Sequence, residues 1–230
     1  MPDRAAKDAL FDAFAEVGKA LSSGRRAEIV DVLAQGERSV DEVAAEIHQS
    51  VANTSQHLRT LARAGLLRSR RAGARVLYRL ASDKVGLLWA ALREVADEHL
   101  AGLDRLAVAY LGDRSELEEV SRRELTRRLR VGDVVVLDVR PPAEFAAGHI
   151  AGARSVPPAE LRQRLRRVPF EAEVVAYCRG RYCAFADEAV RALRRRGVRA
   201  ARLEDGFPEW RQAGLPVAVG AEDLAGGTRP

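Results

Sequence analysis

The sequence predicts two domains, a mainly α-helical one followed by an α/β one built on a parallel sheet. Three observations predict this. The chain has 230 residues, 47% of them apolar, enough for two domains of about 100 residues each. Up to about residue 113, apolar side chains recur at helical spacing almost without break. Beyond it, short β-branched runs alternate with helical stretches, which implies parallel strands joined by right-handed crossovers. Gly112 to Ser115 and the acidic residues up to Glu119 read as the junction. The expected division is a first domain at 1–112, a linker at 113–120, a second domain at 121–220 and a flexible tail at 221–230.

Composition excludes several classes. No run of 18 apolar residues exists, so no membrane span is expected. The first residues mix charges and carry no apolar core, so no signal peptide is expected. Two cysteines, Cys178 and Cys183, make no disulfide framework. The expectation is a cytoplasmic chain whose cysteines are available for chemistry. The net charge of +5 comes from residues 121–230, while the first 120 are slightly acidic. Within that acidic half, Arg59, Arg63, Arg68, Arg70, Arg71, Arg75 and Arg79 form a local basic patch without an acid among them, and such patches contact phosphates.

Element by element, Asp8 to Leu21 is a helical stretch. Ser23 caps a second helix through Leu33, which Gly36 ends. Ser39 caps a third at Val40 to Ile47, with Glu42 completing a capping box. After a short turn at His48 to Ser50, a fourth runs from Val51 or Ala52 to Ala64 and stops at Gly65. Two helices joined by a short turn, the second with a polar outer face, make a helix-turn-helix. Leu66 to Leu80 partly alternates apolar and basic residues around a Gly-centred turn, an Arg-studded β-hairpin of the kind that forms a DNA-binding wing. A single long helix, Asp83 to Leu111, carries more apolar surface than one small core needs, which suggests a dimer interface.

In the second half, Val134 to Val139 and Val174 to Cys178 are buried strands. Ser155-Val156 and Ala200 to Leu203 are further strands. Helices are expected at Pro141 to Ala147, Pro158 to Arg167, Ala184 to Arg196 and Phe207 to Gln212. Cys178 ends a strand, and Arg179-Gly180-Arg181-Tyr182-Cys183 lead into a helix. Backbone N–H groups of such a loop and the helix N-terminus point at the sulfur, and Arg179 and Arg181 add positive charge. Both effects favour thiolate and activate a nucleophile. Cys183 follows five residues after Cys178, so a disulfide or polysulfide bridge across the loop is left open.

These motifs carry two resemblances. Leu21 to Arg26, Ser39 to Ala44, Asn53 to Leu61 and Gly65 to Leu67 resemble the ArsR type of winged helix-turn-helix repressor. The resemblance implies a homodimer on double-stranded operator DNA. Asn53, Thr54, Ser55, Gln56, His57 and Arg59 would enter the major groove, and Arg70, Arg71 and Arg75 would grip the backbone. Asn, Gln and Arg can read base edges, and Ser and Thr suit phosphates. The metal sites of that family are not expected. No cysteine stands in Val40 to Ile47, and Tyr110 cannot complete a site with Asp97, His99 and Asp113. No cofactor is expected.

Leu137 to Arg140, Glu144-Phe145, Gly148 to Ala153, the Cys178 loop and Leu203 to Trp210 resemble a single-domain rhodanese. By that resemblance Cys178 carries persulfide sulfur, and Asp138 and Arg140 organise the structure beside the loop. The loop has the six-residue length typical of sulfur transfer. Phosphatases of this fold use seven and end with Arg, where this chain has Ala184. Two departures stand out: Cys183 in place of a cation, and Asp205 in place of a second Gly. The combined expectation is a regulator, most simply a repressor, whose rhodanese domain senses sulfane sulfur from thiosulfate, a persulfide or a polysulfide on Cys178. The alternatives are a thiosulfate or persulfide sulfurtransferase with an accessory DNA-binding domain, and a Cys178–Cys183 disulfide redox switch.

Overall fold

The computed structural model describes residues 3–164, 171 and 173–220. The expected tail and the end of the helix expected at Pro158 to Arg167 lie outside them. The chain forms two compact units that divide between Glu94 and Val95. Residues 95–112, expected with the first domain, therefore pack with the second.

The first unit begins with α1 (Arg4–Leu21), which starts earlier than expected because the Asp3 side chain accepts from Ala5 N–H. It continues through α2 (Gly24–Ala34), β1 (Arg38–Ser39), α3 (Val40–Glu46) and α4 (Val51–Arg63). Ser39 and Glu42 form the capping box, with Ser39 N–H donating to Glu42 Oε2 at 2.7 Å. Ser50 caps α4 through Asn53 N–H at 3.2 Å. The hairpin β2 (Leu67–Ala72) and β3 (Arg75–Leu80) turns at Gly73, whose φ of +61° suits the left-handed region. Short β1, not expected from the sequence, adds to β3 antiparallel. Ile29, Val30, Leu33, Val43, Ile47, Leu58 and Leu61 fill the core. Trp89 Nε1–H closes it by donating to Asp31 Oδ1 at 2.7 Å.

The expected single helix to Leu111 is two helices, α5 (Asp83–His99) and α6 (Leu103–Leu111). Gly102 at φ +87° separates them. A left-handed residue cannot continue an α-helix, and glycine adopts that conformation without a Cβ clash.

The second unit holds a five-stranded, all-parallel sheet in the order β4 (Glu119–Val120), β9 (Ala200–Leu203), β8 (Glu173–Tyr177), β5 (Val134–Asp138), β7 (Arg154–Ser155). Helices α7 (Arg122–Val131), α8 (Pro142–Ala147), α9 (Leu161–Arg164, after a 3-10 turn at Pro158–Glu160) and α10 (Ala184–Arg194) lie between its strands, and α11 (Phe207–Gln212) follows the last of them. A side pair, β6 (His149–Ile150) with β10 (Val217–Ala218), is antiparallel. Side-chain alternation puts Leu137, Val174 and Ala176 against Ala189, Val190 and Leu193 of α10 on one face. Val136, Val175 and Tyr177 meet Leu125, Phe145, Phe207 and Trp210 on the other. Helix α7 went unexpected because Leu125 is its one buried residue, too thin an apolar stripe to see in a run of arginines. Among the described residues no helix is long and apolar enough to cross a membrane.

Because the capping box satisfies two N-terminal N–H groups of α3, Ser39→Ala should destabilise the first unit by about 1 kcal/mol. Denaturant unfolding followed by Trp89 fluorescence would measure it; an unchanged midpoint would contradict the assignment.

Candidate functional site

The strongest constellation lies at the C-terminal edge of the parallel sheet, where β8 gives way to the Cys178 loop and α10. Cys178 is buried and its C=O accepts from Phe207 N–H at 3.1 Å. The bridge that the spacing left open is formed: Cys178 and Cys183 are disulfide-bonded, their Cα atoms 6.3 Å apart, inside the usual range for such pairs. Cys178 is therefore not the thiolate that the sequence led us to expect in this state. Within the loop, Cys183 N–H donates to Gly180 C=O at 3.1 Å. Among the described residues, the N–H groups of Gly180, Arg181 and Tyr182 find no acceptor.

The positive charge expected from the loop arginines is largely spoken for. Arg179 Nη2 meets Glu144 Oε1 at 2.6 Å, and that carboxylate is buried. Arg181 Nη1 faces Asp97 Oδ2 at 3.6 Å. Each loop guanidinium thus faces a carboxylate, and the N-terminus of α10 adds its dipole beside the loop.

Beneath the loop, Asp138 and Arg140 are both fully buried. Arg140 Nη2 donates to Asp138 Oδ2 at 2.5 Å and to Gly148 C=O at 2.7 Å. Arg140 N–H also donates to Asp138 Oδ1 at 2.9 Å. Burial works against the Arg140 charge, but the Asp138 pair outweighs it and holds the guanidinium above its ordinary pKa. Tyr177, immediately before Cys178, donates its hydroxyl to Asp138 Oδ2 at 2.5 Å and accepts from Ile150 N–H at 3.0 Å. Burial first, and the Asp138 charge second, push its phenol well above the usual range. His149 of the same motif is buried, stacks on Phe145 at 3.6 Å between centroids, and points Nδ1 at Phe145 C=O, 2.9 Å away.

Gly206 explains why the turn after β9 carries glycine. A Cβ there would stand 2.3 Å from Gly180 N and from the Arg179 carbonyl carbon, so this turn presses directly on the loop backbone. The neighbouring Asp205 has a use of its own. Its carboxyl, raised by burial, pairs with Arg122 Nε at 2.6 Å.

Sequence reasoning missed a second layer: Arg114, Asp187 and Arg202. Asp187 and Arg202 are fully buried, on α10 and β9. The available signal was a charge at an inward position of each element, which demands a partner. Arg114 gave no signal, because it lies in an irregular segment.

In the first unit, Asn53, Gln56 and Arg59 are exposed on α4, and Ser55 and His57 are partly exposed. Thr54 is a correction. It is fully buried because its position faces the core beside Leu58 and Leu61, so it cannot reach a phosphate. Arg71 and Arg75 are exposed on the hairpin. Arg70 is exposed too, but Glu37 holds it through Nε at 2.9 and 3.0 Å. Among the described residues no group of three His, Cys, Asp or Glu could hold a metal.

With this geometry established, the comparisons are specific. Residues 121–213 match the rhodanese-like domain, and residues 23–69 match the bacterial regulatory protein, arsR family. The chain is 47% identical over 215 residues to the HTH-type transcriptional regulator Rv0324 of Mycobacterium tuberculosis, covering 94% of each. A sulfurtransferase of Allochromatium vinosum is 32% identical over 105 residues, which is 45% of this chain and 96% of that one. Among solved structures, the homodimeric winged helix-turn-helix DNA-binding domain of Mb0332 from Mycobacterium bovis is 46% identical. It covers 44% of this chain and 91% of that one, at a TM-score of 0.41.

Removing one partner of the buried pair leaves the other as an uncompensated charge. Asp138→Ala should therefore cost about 3–5 kcal/mol of second-unit stability. Equilibrium unfolding would measure it, and a loss below about 1 kcal/mol, the scale of an exposed pair, would show that the pair is not structural.

Proposed function

Because the chain belongs to the arsR family of bacterial regulatory proteins and carries a C-terminal rhodanese-like domain, we propose that it is a transcriptional repressor whose operator affinity depends on sulfur chemistry at Cys178. One observation carries the reading: both cysteines of the chain lie in one loop of the rhodanese-like domain, while the DNA-reading half has no cysteine. Asn53, Ser55, Gln56, His57 and Arg59 of α4 would face the major groove. Arg71 and Arg75 would hold phosphates, with Arg70 positioned by Glu37. A homodimer would account for the exposed Leu10, Phe11 and Phe14 of α1 and Leu87, Leu88 and Leu92 of α5. The chain would work in the cytoplasm.

Two routes load Cys178. From the disulfide, hydrosulfide attacks Cys178 Sγ, the Sγ–Sγ bond breaks, and Cys183 leaves as thiolate. This yields a Cys178 persulfide with no other oxidant or reductant. From the dithiol, the Cys178 thiolate takes the outer sulfur of thiosulfate and sulfite leaves. In both cases the open loop N–H groups would receive the terminal sulfur anion. Passing that sulfur to a thiol would be slow sulfurtransferase turnover. The disulfide itself favours a second reading, a switch set by Cys178–Cys183 oxidation in which sulfur loading is secondary.

Intact mass should show the reduced chain gaining sulfur from thiosulfate or polysulfide, with the gain abolished in Cys178→Ser. Operator binding that still responds to donors in Cys178→Ser would sink the proposal. An oxidant response of operator binding that Cys183→Ser abolishes, with sulfur loading intact, would favour the disulfide switch. On the DNA side, Arg71→Ala and Arg75→Ala should each weaken binding to all sequences alike and lower the salt slope by about 1. Slopes measured by fluorescence anisotropy at several salt concentrations test this, and unaltered slopes would remove the hairpin from the interface.

A further inference from the structure

The Cys178 loop is held from outside by residues that precede the rhodanese-like span. Arg114, in the segment after α6, makes three contacts with one guanidinium. Nη1 donates to Arg181 C=O at 2.7 Å and Nη2 to Cys183 C=O at 3.2 Å. Nε donates to Asp187 Oδ2 at 2.5 Å. Arg202 reinforces it, with Nη2 on the same Arg181 C=O at 3.2 Å, Nε 3.2 Å from Asp187 Oδ1, and Nη1 paired with Glu119. Asp97, near the end of α5, accepts from the Tyr182 hydroxyl and faces Arg181. Every one of these residues belongs to the second unit.

We propose that Arg114, with Asp97 beside it, is a positioning residue of the Cys178 loop, fixing the backbone that cradles the reactive sulfur. A trans peptide points its C=O and N–H in opposite directions. Guanidinium groups that hold the carbonyls of Arg181 and Cys183 outward therefore turn the N–H groups of Tyr182 and Ala184 away from themselves, toward the inner side of the loop. A planar fork suits two carbonyls and a carboxylate at once, as an ammonium does not. Burial and the bond to Asp97 push the Tyr182 phenol up to about 12, so it stays a neutral donor through the physiological range. Arg202 apart, the side chains that hold Arg181, Tyr182 and Cys183 thus lie in residues 97–114, outside the 121–213 that match the rhodanese-like family.

This inference rests on the reading of Cys178 as the reacting sulfur, and its test does not require that sulfur be loaded. In the full chain carrying Cys183→Ser, one thiol remains, and its thiolate absorbance can be titrated against a Cys178→Ser, Cys183→Ser control. Arg114→Gln should raise the midpoint by about one pH unit, leaving roughly tenfold less thiolate near neutral pH. Arg114→Lys keeps the charge and loses the fork, so it should titrate like Arg114→Gln. Full rescue by lysine would overturn the positioning role and assign the effect to charge alone. Tyr182→Phe removes one hydroxyl without unbalancing a buried charge, and it carries the test if Arg114→Gln fails to fold. It should shift the midpoint upward by a smaller amount. Unmoved midpoints in the folded variants would overturn the proposal. A shifted midpoint in a chain that no sulfane-sulfur donor can load would leave the positioning role standing and remove the sensing reading instead.

Discussion

The second unit depends on one buried ion pair, Asp138 with Arg140. Two opposite charges without exposure to water survive only if every lone pair and proton is used, and here they are used to join separate pieces of chain. Asp138 ends β5 and takes the hydroxyl of Tyr177 at the end of β8. Arg140 ties the turn after β5 to the Gly148 carbonyl and lies 4.2 Å from the centre of the Phe207 ring. Cys178 follows Tyr177, and its carbonyl receives the Phe207 N–H. The pair therefore fixes the residue on each side of the place where the sulfur emerges, and the strand ends meet in one register.

Around that foundation the loop is neutralised group by group. Within the loop one backbone bond forms, from Cys183 N–H to Gly180 C=O, so its other polar groups need outside partners. The arginine side chains go to Glu144 and Asp97, and the outward carbonyls go to Arg114 and Arg202. The N–H groups of Gly180, Arg181 and Tyr182 find no acceptor among the described residues. Burial and the like charge of Arg114 both act to lower the Arg202 pKa, while Asp187 and Glu119 oppose them. One buried carboxylate between two guanidinium groups is thus electrostatically tight.

Much of this was legible in the sequence for physical reasons. Ser39 and Glu42 announce their capping box by spacing alone, the parallel strands are continuous apolar runs, and the Cys178 loop sits where a strand hands over to a helix. What stayed hidden was long-range. The partner of Arg179 lies 35 residues away in sequence, and that of Arg114 lies 73 away; no local pattern encodes either. Thr54 was misread because a polar residue on a polar helix looks outward until the core direction is known. The break at Gly102 was overlooked because apolar spacing continues across it, although the glycine was the available clue. Helix α7 was overlooked because charge dominated its composition.

The place of Arg114 bears on how such a chain can be assembled from parts. Family boundaries suggest two modules joined by a disposable connector, free to lengthen or shorten. A connector whose side chain supplies a wall of the neighbouring site is not disposable. Joining this domain to another reader at residue 120 would discard Arg114 and leave the buried Asp187 with Arg202 alone. Insertions between Asp97 and Arg114 would have to bring both anchors back to the same loop. A cut placed at the domain boundary would therefore remove side chains to which the loop is bonded.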